Sequence, residues 1–182
     1  MIENEPGADW HDLQQRVATI LVECGLAAEV GRSVPVARGT VKIDVYATDP
    51  TTTPPAVYLC ECKRWRSRVP QAQVQAFRTV VSDAGAHFGL CVSAMGFQAG
   101  AFEVIKHTNV HLLGWKEFQK LFLERWCSNY WVLSCVCAAL AQRGFLISCR
   151  EDCTFSGPHQ TLFPSNLRAH AVERLNSDPD SG

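Results

Sequence analysis

From Asp9 to Cys24 the apolar residues Leu13, Val17, Ile20, Leu21 and Cys24 recur at helical spacing, which predicts an amphipathic first helix. Asp9 is placed to cap it, with Asp12 three positions on, and Gly25 to stop it. Ala28–Val36 reads as extended, Arg38-Gly39 as a turn, and Val41–Ala47 alternates as a strand does. The run DPTTTPP, Asp49–Pro55, has loop composition. Val57–Lys63 is rich in β-formers and reads as a second strand. Pro70 suits a first-turn position, and Val74, Phe77, Val81 and Ala84 give the helix it opens an apolar face that ends at Gly85.

Phe88–Ser93 is nearly all apolar, as a strand covered on both sides should be. A turn at Gly96 leads into a helix predicted over Gln98–His107, followed by a short strand at Val110–Leu113. Trp115–Trp126 is amphipathic, and Asn129–Ala141 reads as a further helix. Strands alternating with helices predict an α/β domain over 9–126, with a mixed central sheet flanked by helices. Residues 127–182 form a small, partly helical C-terminal extension in this reading, and its end, NSDPDSG, reads as disordered.

Composition narrows the class. The 182 residues are 47% hydrophobic and 19% charged with a net charge of −1, which suits a globular chain and says nothing against a local basic patch. Met1–Asp9 is acidic and polar, without the apolar core of a signal peptide, and the nine cysteines are an odd number. A reducing, cytoplasmic setting with free thiols follows. The pairs Cys60/Cys62 and Cys135/Cys137 have metal-ligand residue types, but no CxxC occurs and packing is the better reading. Trp131–Cys149 is mostly apolar but is broken at Gln142, Arg143 and Gly144. Its unbroken part falls well short of the roughly 20 residues of a membrane span.

Candidate chemistry lies on the two central strands. Asp44 interrupts an apolar strand, with Ile43 and Val45 directed to the other side. In Leu59-Cys60-Glu61-Cys62-Lys63, the period of two puts Glu61 and Lys63 on one face and the cysteines on the other. Phosphodiester hydrolysis needs these residue types: carboxylates to hold Mg²⁺, and an ammonium to orient a nucleophile or steady developing charge. Asp44 and Glu61 would be ligands with the Cys62 main-chain carbonyl, and Lys63 the third partner. Spacing alone does not separate this arrangement from an ordinary Glu61–Lys63 ion pair, which is the commoner cause of such a pattern.

The helix LQQRVATILVECG, the strands IDVYA and CECKRW, and the run from VPQAQVQAFRTVV to HLLGWKEFQ occur in the order of one known family. This set, spanning roughly Asp12 to Phe122, resembles the Mrr-type restriction endonucleases of the PD-(D/E)xK superfamily. The resemblance implies a restriction-endonuclease-like fold and a Mg²⁺-dependent endodeoxyribonuclease, with Mn²⁺ able to substitute and a role in restriction or defence against foreign DNA. It places the metal-binding aspartate on Asp44 and the (D/E)xK pair on Glu61 and Lys63. Two positions depart from the pattern. The first-helix acid of many relatives corresponds to Gln14, or its neighbour Gln15, and Ile43 stands where a proline is usual.

Past the second strand, Lys63-Arg64-Trp65-Arg66-Ser67-Arg68 packs four cations around a tryptophan. Beside the proposed site, Arg64, Arg66 and Arg68 are expected to hold DNA backbone phosphates, and Trp65 to stack on a base or pack under the loop. Lys42 and Gln75 are weaker candidates. The Gly96–Ala101 turn reads as tight packing, and His87, His107 and His111 as ordinary loop or strand-end residues. Cutting both strands would need two sites, which favours a homodimer. Specificity is expected to come from a partner subunit, since no reading element is visible in the sequence. The competing readings are a catalytically impaired DNA-binding module of the same fold and a regulatory or interaction subunit.

Overall fold

The computed structural model describes the backbone at residues 5–37, 39–142, 146–147 and 171–172, and side chains at 5–37 and 39–129. The chain divides into two compact units, one of Glu3–Trp126 and one of Met1–Ile2 with Cys127–Gly182. The first unit opens with α1 (Trp10–Glu23), capped by the Asp9 side chain, which accepts from the Asp12 N–H. It continues through β1 (Ala27–Val30), β2 (Ser33–Val36), β3 (Gly39–Lys42), β4 (Val45–Asp49) and β5 (Ala56–Lys63). Then come α2 (Gln71–Asp83), β6 (Phe88–Ser93), α3 (Ala99–Glu103), β7 (Val110–Gly114) and α4 (Trp115–Gln142). In the second unit β8 (Leu146–Ile147) pairs antiparallel with β9 (Ala171–Val172).

Five strands form one mixed sheet in the order β1-β4-β5-β6-β7. The pairs β1·β4 and β4·β5 are antiparallel, and β5·β6 and β6·β7 parallel. On one face, α2 buries Val74, Phe77 and Val81 in a cluster with Leu59, Cys91 and Val110. Gly89 lets α2 lie that close, because a Cβ there would stand 2.6 Å from Val81 Cγ2. Side-chain alternation turns Cys60 and Cys62 to the opposite face. There α1 packs on β1, β4 and β5, and the Cys24 thiol meets the Phe122 carbonyl of α4 at 3.6 Å. Helices on both faces of a mixed sheet are the restriction-endonuclease-like arrangement expected from the sequence.

Three expected elements differ. The strand expected over Val41–Ala47 is split. The Ile43 N–H donates to the Arg32 carbonyl at 2.8 Å and the Gly31 N–H to the Asp44 carbonyl at 2.9 Å. These bonds close β2 and β3 into a separate two-stranded ribbon. The helix expected over Gln98–His107 ends at Glu103, and the chain turns through His107, whose φ of 59° no right-handed helix accommodates. The two helices expected after Gly114 are one, α4, whose span holds neither glycine nor proline to break it. Among the described residues no helix is long and apolar enough to cross a membrane. The expected disordered end and the Cys135/Cys137 side chains lie outside the described residues.

Candidate active site

Where β4 begins, the antiparallel register pairs Val45 with Cys60. Asp44, one residue earlier, therefore stands across from Glu61. Its Oδ2 accepts the Cys62 N–H at 2.8 Å. On β5, Lys63 Nζ donates to Glu61 Oε1 at 2.5 Å, and the same ammonium lies 5.4 Å from the centre of the Trp65 ring, within cation–π range. The structure thus brings Asp44, Glu61 and Lys63 together, at the point where the ribbon leaves the sheet.

The main chain of Cys62 is placed unusually. The Lys63 carbonyl accepts from the Ala94 N–H at 3.1 Å, so the polar groups of Lys63 point toward β6 and those of Cys62 toward β4. No β4 residue reaches that far. The Cys62 N–H is taken by the Asp44 carboxylate, and the Ile43 N–H that would meet the Cys62 carbonyl is committed to Arg32. Among the described residues the carbonyl is left without a ladder partner, beside two carboxylates.

Electrostatics follow from this crowding. Glu61 is raised above the ordinary carboxylate range, first by burial and then by the charge of Asp44, against the pull of Lys63. Burial would lower Lys63, but its hydrogen bond to Glu61 and the charges of Glu61 and Asp44 together raise it. Two carboxylates share one ammonium, so the cluster is one positive charge short. The neighbouring thiols are inert. Burial pushes Cys60 and Cys62 far up and Cys91 up to about 12, which leaves them protonated and poor as ligands or nucleophiles. None of the five described cysteines forms a disulfide. No group of three or more His, Cys, Asp or Glu side chains among the described residues could hold a metal ion. Any metal donor set here must rest on two carboxylates plus the main chain.

The other predicted residues fall less uniformly. Arg66 and Arg68 are exposed, and Trp65 keeps 37% of its surface. Arg64 is half-buried and donates from Nε to the Gly7 carbonyl at 3.0 Å, tying the lead into α1 to the end of β5. Gln14 is buried on α1, and its side chain makes no hydrogen bond among the described residues. No bond joins it to Asp44, Glu61 or Lys63. Gln15, Lys42 and Gln75 are exposed. Sequence reasoning named the Cys62 carbonyl but not the reason it lacks a ladder partner, and it missed the tie of Arg64 to Gly7 and the Lys63–Trp65 contact. Only the last had a signal, an aromatic two residues past a strand lysine.

A family model described as Restriction endonuclease (Mrr_cat) matches residues 7–122, which takes in every residue of this cluster. The chain belongs to the restriction endonuclease family. Membership makes it a nuclease of the restriction endonuclease type, a class that acts on DNA and generally uses divalent metal ions. Among curated proteins, none matches it. A solved structure described as "Crystal Structure of Protein of Unknown Function AF1548" shares the fold at a TM-score of 0.54 and 18% identity. That likeness covers 76% of this chain and 69% of the other. For a member of this family, the Glu61-Cys62-Lys63 strand with Asp44 across from it is the natural candidate for the active site.

Proposed function

We propose that this restriction endonuclease family member is a Mg²⁺-dependent endodeoxyribonuclease acting in restriction or defence against foreign DNA, with its nuclease domain over 9–126 and an extension over 127–182. The reading is carried by one observation: two carboxylates and a single ammonium gathered beside a main-chain carbonyl that has no strand partner. Mg²⁺ binds through one or two carboxylates and keeps several waters. Asp44, Glu61 and the Cys62 carbonyl suit it, and would suit Mn²⁺. The ion, when bound, would neutralise charge on the scissile phosphate and lower the pKa of a water.

The chain's own residues do the rest. Asp44 is oriented by the Cys62 N–H. Lys63 is held charged between Glu61 and Trp65 and steadies the negative charge that develops on the phosphate. Exposed Arg66 and Arg68 hold backbone phosphates, helped by the guanidinium of Arg64, while Trp65 holds the Lys63 ammonium beside them. Gln14 supplies an amide where many relatives have an acid. A homodimer supplies the second site that cutting both strands requires, and a partner subunit supplies specificity.

Supercoiled plasmid incubated with protein and Mg²⁺ should be nicked and linearised. EDTA, Lys63→Ala or Asp44→Ala should each reduce the rate by 100-fold or more, on the order expected for loss of a principal charge-stabilising group. Cutting by Lys63→Ala at the wild-type rate would remove Lys63 from the chemistry. Salt-sensitive binding without cleavage by the wild type would favour the DNA-binding module, a reading to which Gln14, an amide where many relatives have an acid, lends weight.

A further inference from the structure

We infer that the β2–β3 ribbon is the element that enters a groove of duplex DNA, and that Ser33, Thr40 and Lys42 on its outer face make the contacts. The inference rests on the nuclease reading above and names the part of the chain that engages the substrate next to the site.

The register decides which side chains face outward. Ser33 pairs with Lys42, Val34 with Val41, Pro35 with Thr40 and Val36 with Gly39. Antiparallel partners project to the same side, so the ribbon has two distinct faces. Val34 and Val41 turn inward, Val34 as part of the core and Val41 packed against it. Ser33, Pro35, Thr40 and Lys42 are all exposed on the other. Among the described residues the side chains of Ser33, Thr40 and Lys42 have no hydrogen-bond or ion-pair partner. The three polar groups on this face are therefore available to a ligand.

Charge and position indicate which ligand. From Arg32 to Ile43 the sequence holds Arg32, Arg38 and Lys42 and no acidic residue, although the chain as a whole carries a net charge of −1. The ribbon's base is closed by the Gly31–Asp44 and Arg32–Ile43 hydrogen bonds, so its last strand runs directly into the Asp44 of the candidate site. Arg32 is stacked 4.1 Å over the Tyr46 ring and paired with Glu29, which anchors the base and leaves the outer face to Lys42. The Lys42 stem lies over Gly31, where a Cβ would come within 3.1 Å of Cε, and this contact steers the ammonium. The major groove of B-DNA admits a two-stranded β-ribbon, and hydroxyl and ammonium groups are suited to base edges and phosphates. A ribbon seated there, rigidly joined to Asp44, would set where the backbone meets the site.

Binding separates this inference from the nuclease reading. Fluorescence anisotropy of a labelled duplex is measured with full-length Lys63→Ala protein, which prevents cutting, with and without Ser33→Ala, Thr40→Ala and Lys42→Gln together. All three positions are exposed, so the fold should be retained, and circular dichroism checks this. The expected result is a loss of duplex affinity of roughly tenfold or more. The slope of log affinity against log salt should fall by about one, for the one cation removed. Affinity for single-stranded DNA should change less, because it offers no groove. Unchanged duplex affinity and slope, in a protein whose wild type cuts DNA, would overturn the ribbon's role and leave the nuclease reading standing. A wild type that neither binds nor cuts DNA would overturn both.

Discussion

Lys63 sits in a place that only its neighbours make tenable. Its ammonium is half-buried, pairs with Glu61 and lies over the face of Trp65. If Glu61 is drawn to a metal ion, the indole face is what continues to hold the ammonium. Trp65→Phe should then retain most of the cleavage rate, while Trp65→Ala should lower kcat about 3- to 10-fold, as loss of a cation–π contact of roughly 1 kcal/mol predicts. Steady-state kinetics on a short duplex check this. A rise in KM with kcat intact would instead make Trp65 a DNA contact. Gln14 illustrates the opposite situation, a buried side-chain amide without a hydrogen-bond partner among the described residues, which costs about 1–3 kcal/mol. Its residue type was visible in the sequence. Its lack of a hydrogen bond was not, because that depends on what surrounds it once α1 has docked.

At the level of elements, β6 and α2 depend on a missing side chain. Gly89 faces Val81 and Phe77 of α2 and Val110 of β7. A methyl group there would force α2 off the sheet or distort β6. Gly89→Ala should destabilise the protein by about 1–3 kcal/mol, read as a lower urea midpoint at unchanged m-value. The pattern of apolar positions found α1, β5, α2 and β6 within a few residues of their ends, because each buries a face with a clear period. It missed the break at Ile43–Asp44. Apolar alternation runs straight through that break, and the hydrogen bonds that create it come from Gly31 and Arg32, on the other side of the ribbon. It also extended α3 too far, since nothing local to Val104–His107 announces the left-handed turn.

Across the first unit, a long-range polar tie joins the last residue of β4 to α4. Arg125 donates from Nη1 and Nη2 to the buried carboxylate of Asp49 and from Nε to the Cys24 carbonyl. The Arg125 guanidinium and the Thr51 groups hold the Asp49 carboxyl well below the ordinary range, against the effect of burial. Removing one partner of a buried pair usually costs about 3–5 kcal/mol. Arg125 keeps 31% of its surface, so Asp49→Asn should cost nearer 2–3 kcal/mol on the same scale. A carboxyl lowered in the folded state stabilises fully above its unfolded pKa, and that contribution is lost as pH falls through the folded value. The stability gap between wild type and Asp49→Asn should therefore be widest at neutral pH and narrow below about pH 4. Denaturant titrations at neutral pH and at pH 3 test this. A gap of constant width would mean that the Asp49 charge contributes nothing.

The sequence by itself determined the alternation of helices and strands, the side of β5 on which Glu61 and Lys63 lie, and the run of cations that follows. These features follow from periodicity and composition, which act between near neighbours. Tertiary structure alone decided that Asp44 lies across from Glu61, that the Cys62 carbonyl is left open beside them, and that β2 and β3 stand apart from the sheet as a ribbon with a polar outer face. Each of these depends on which strand pairs with which and in what register. Register is fixed only when separate strands meet, by the fit of their apolar faces and the geometry of the turns that join them, and a single strand's pattern does not name its partner.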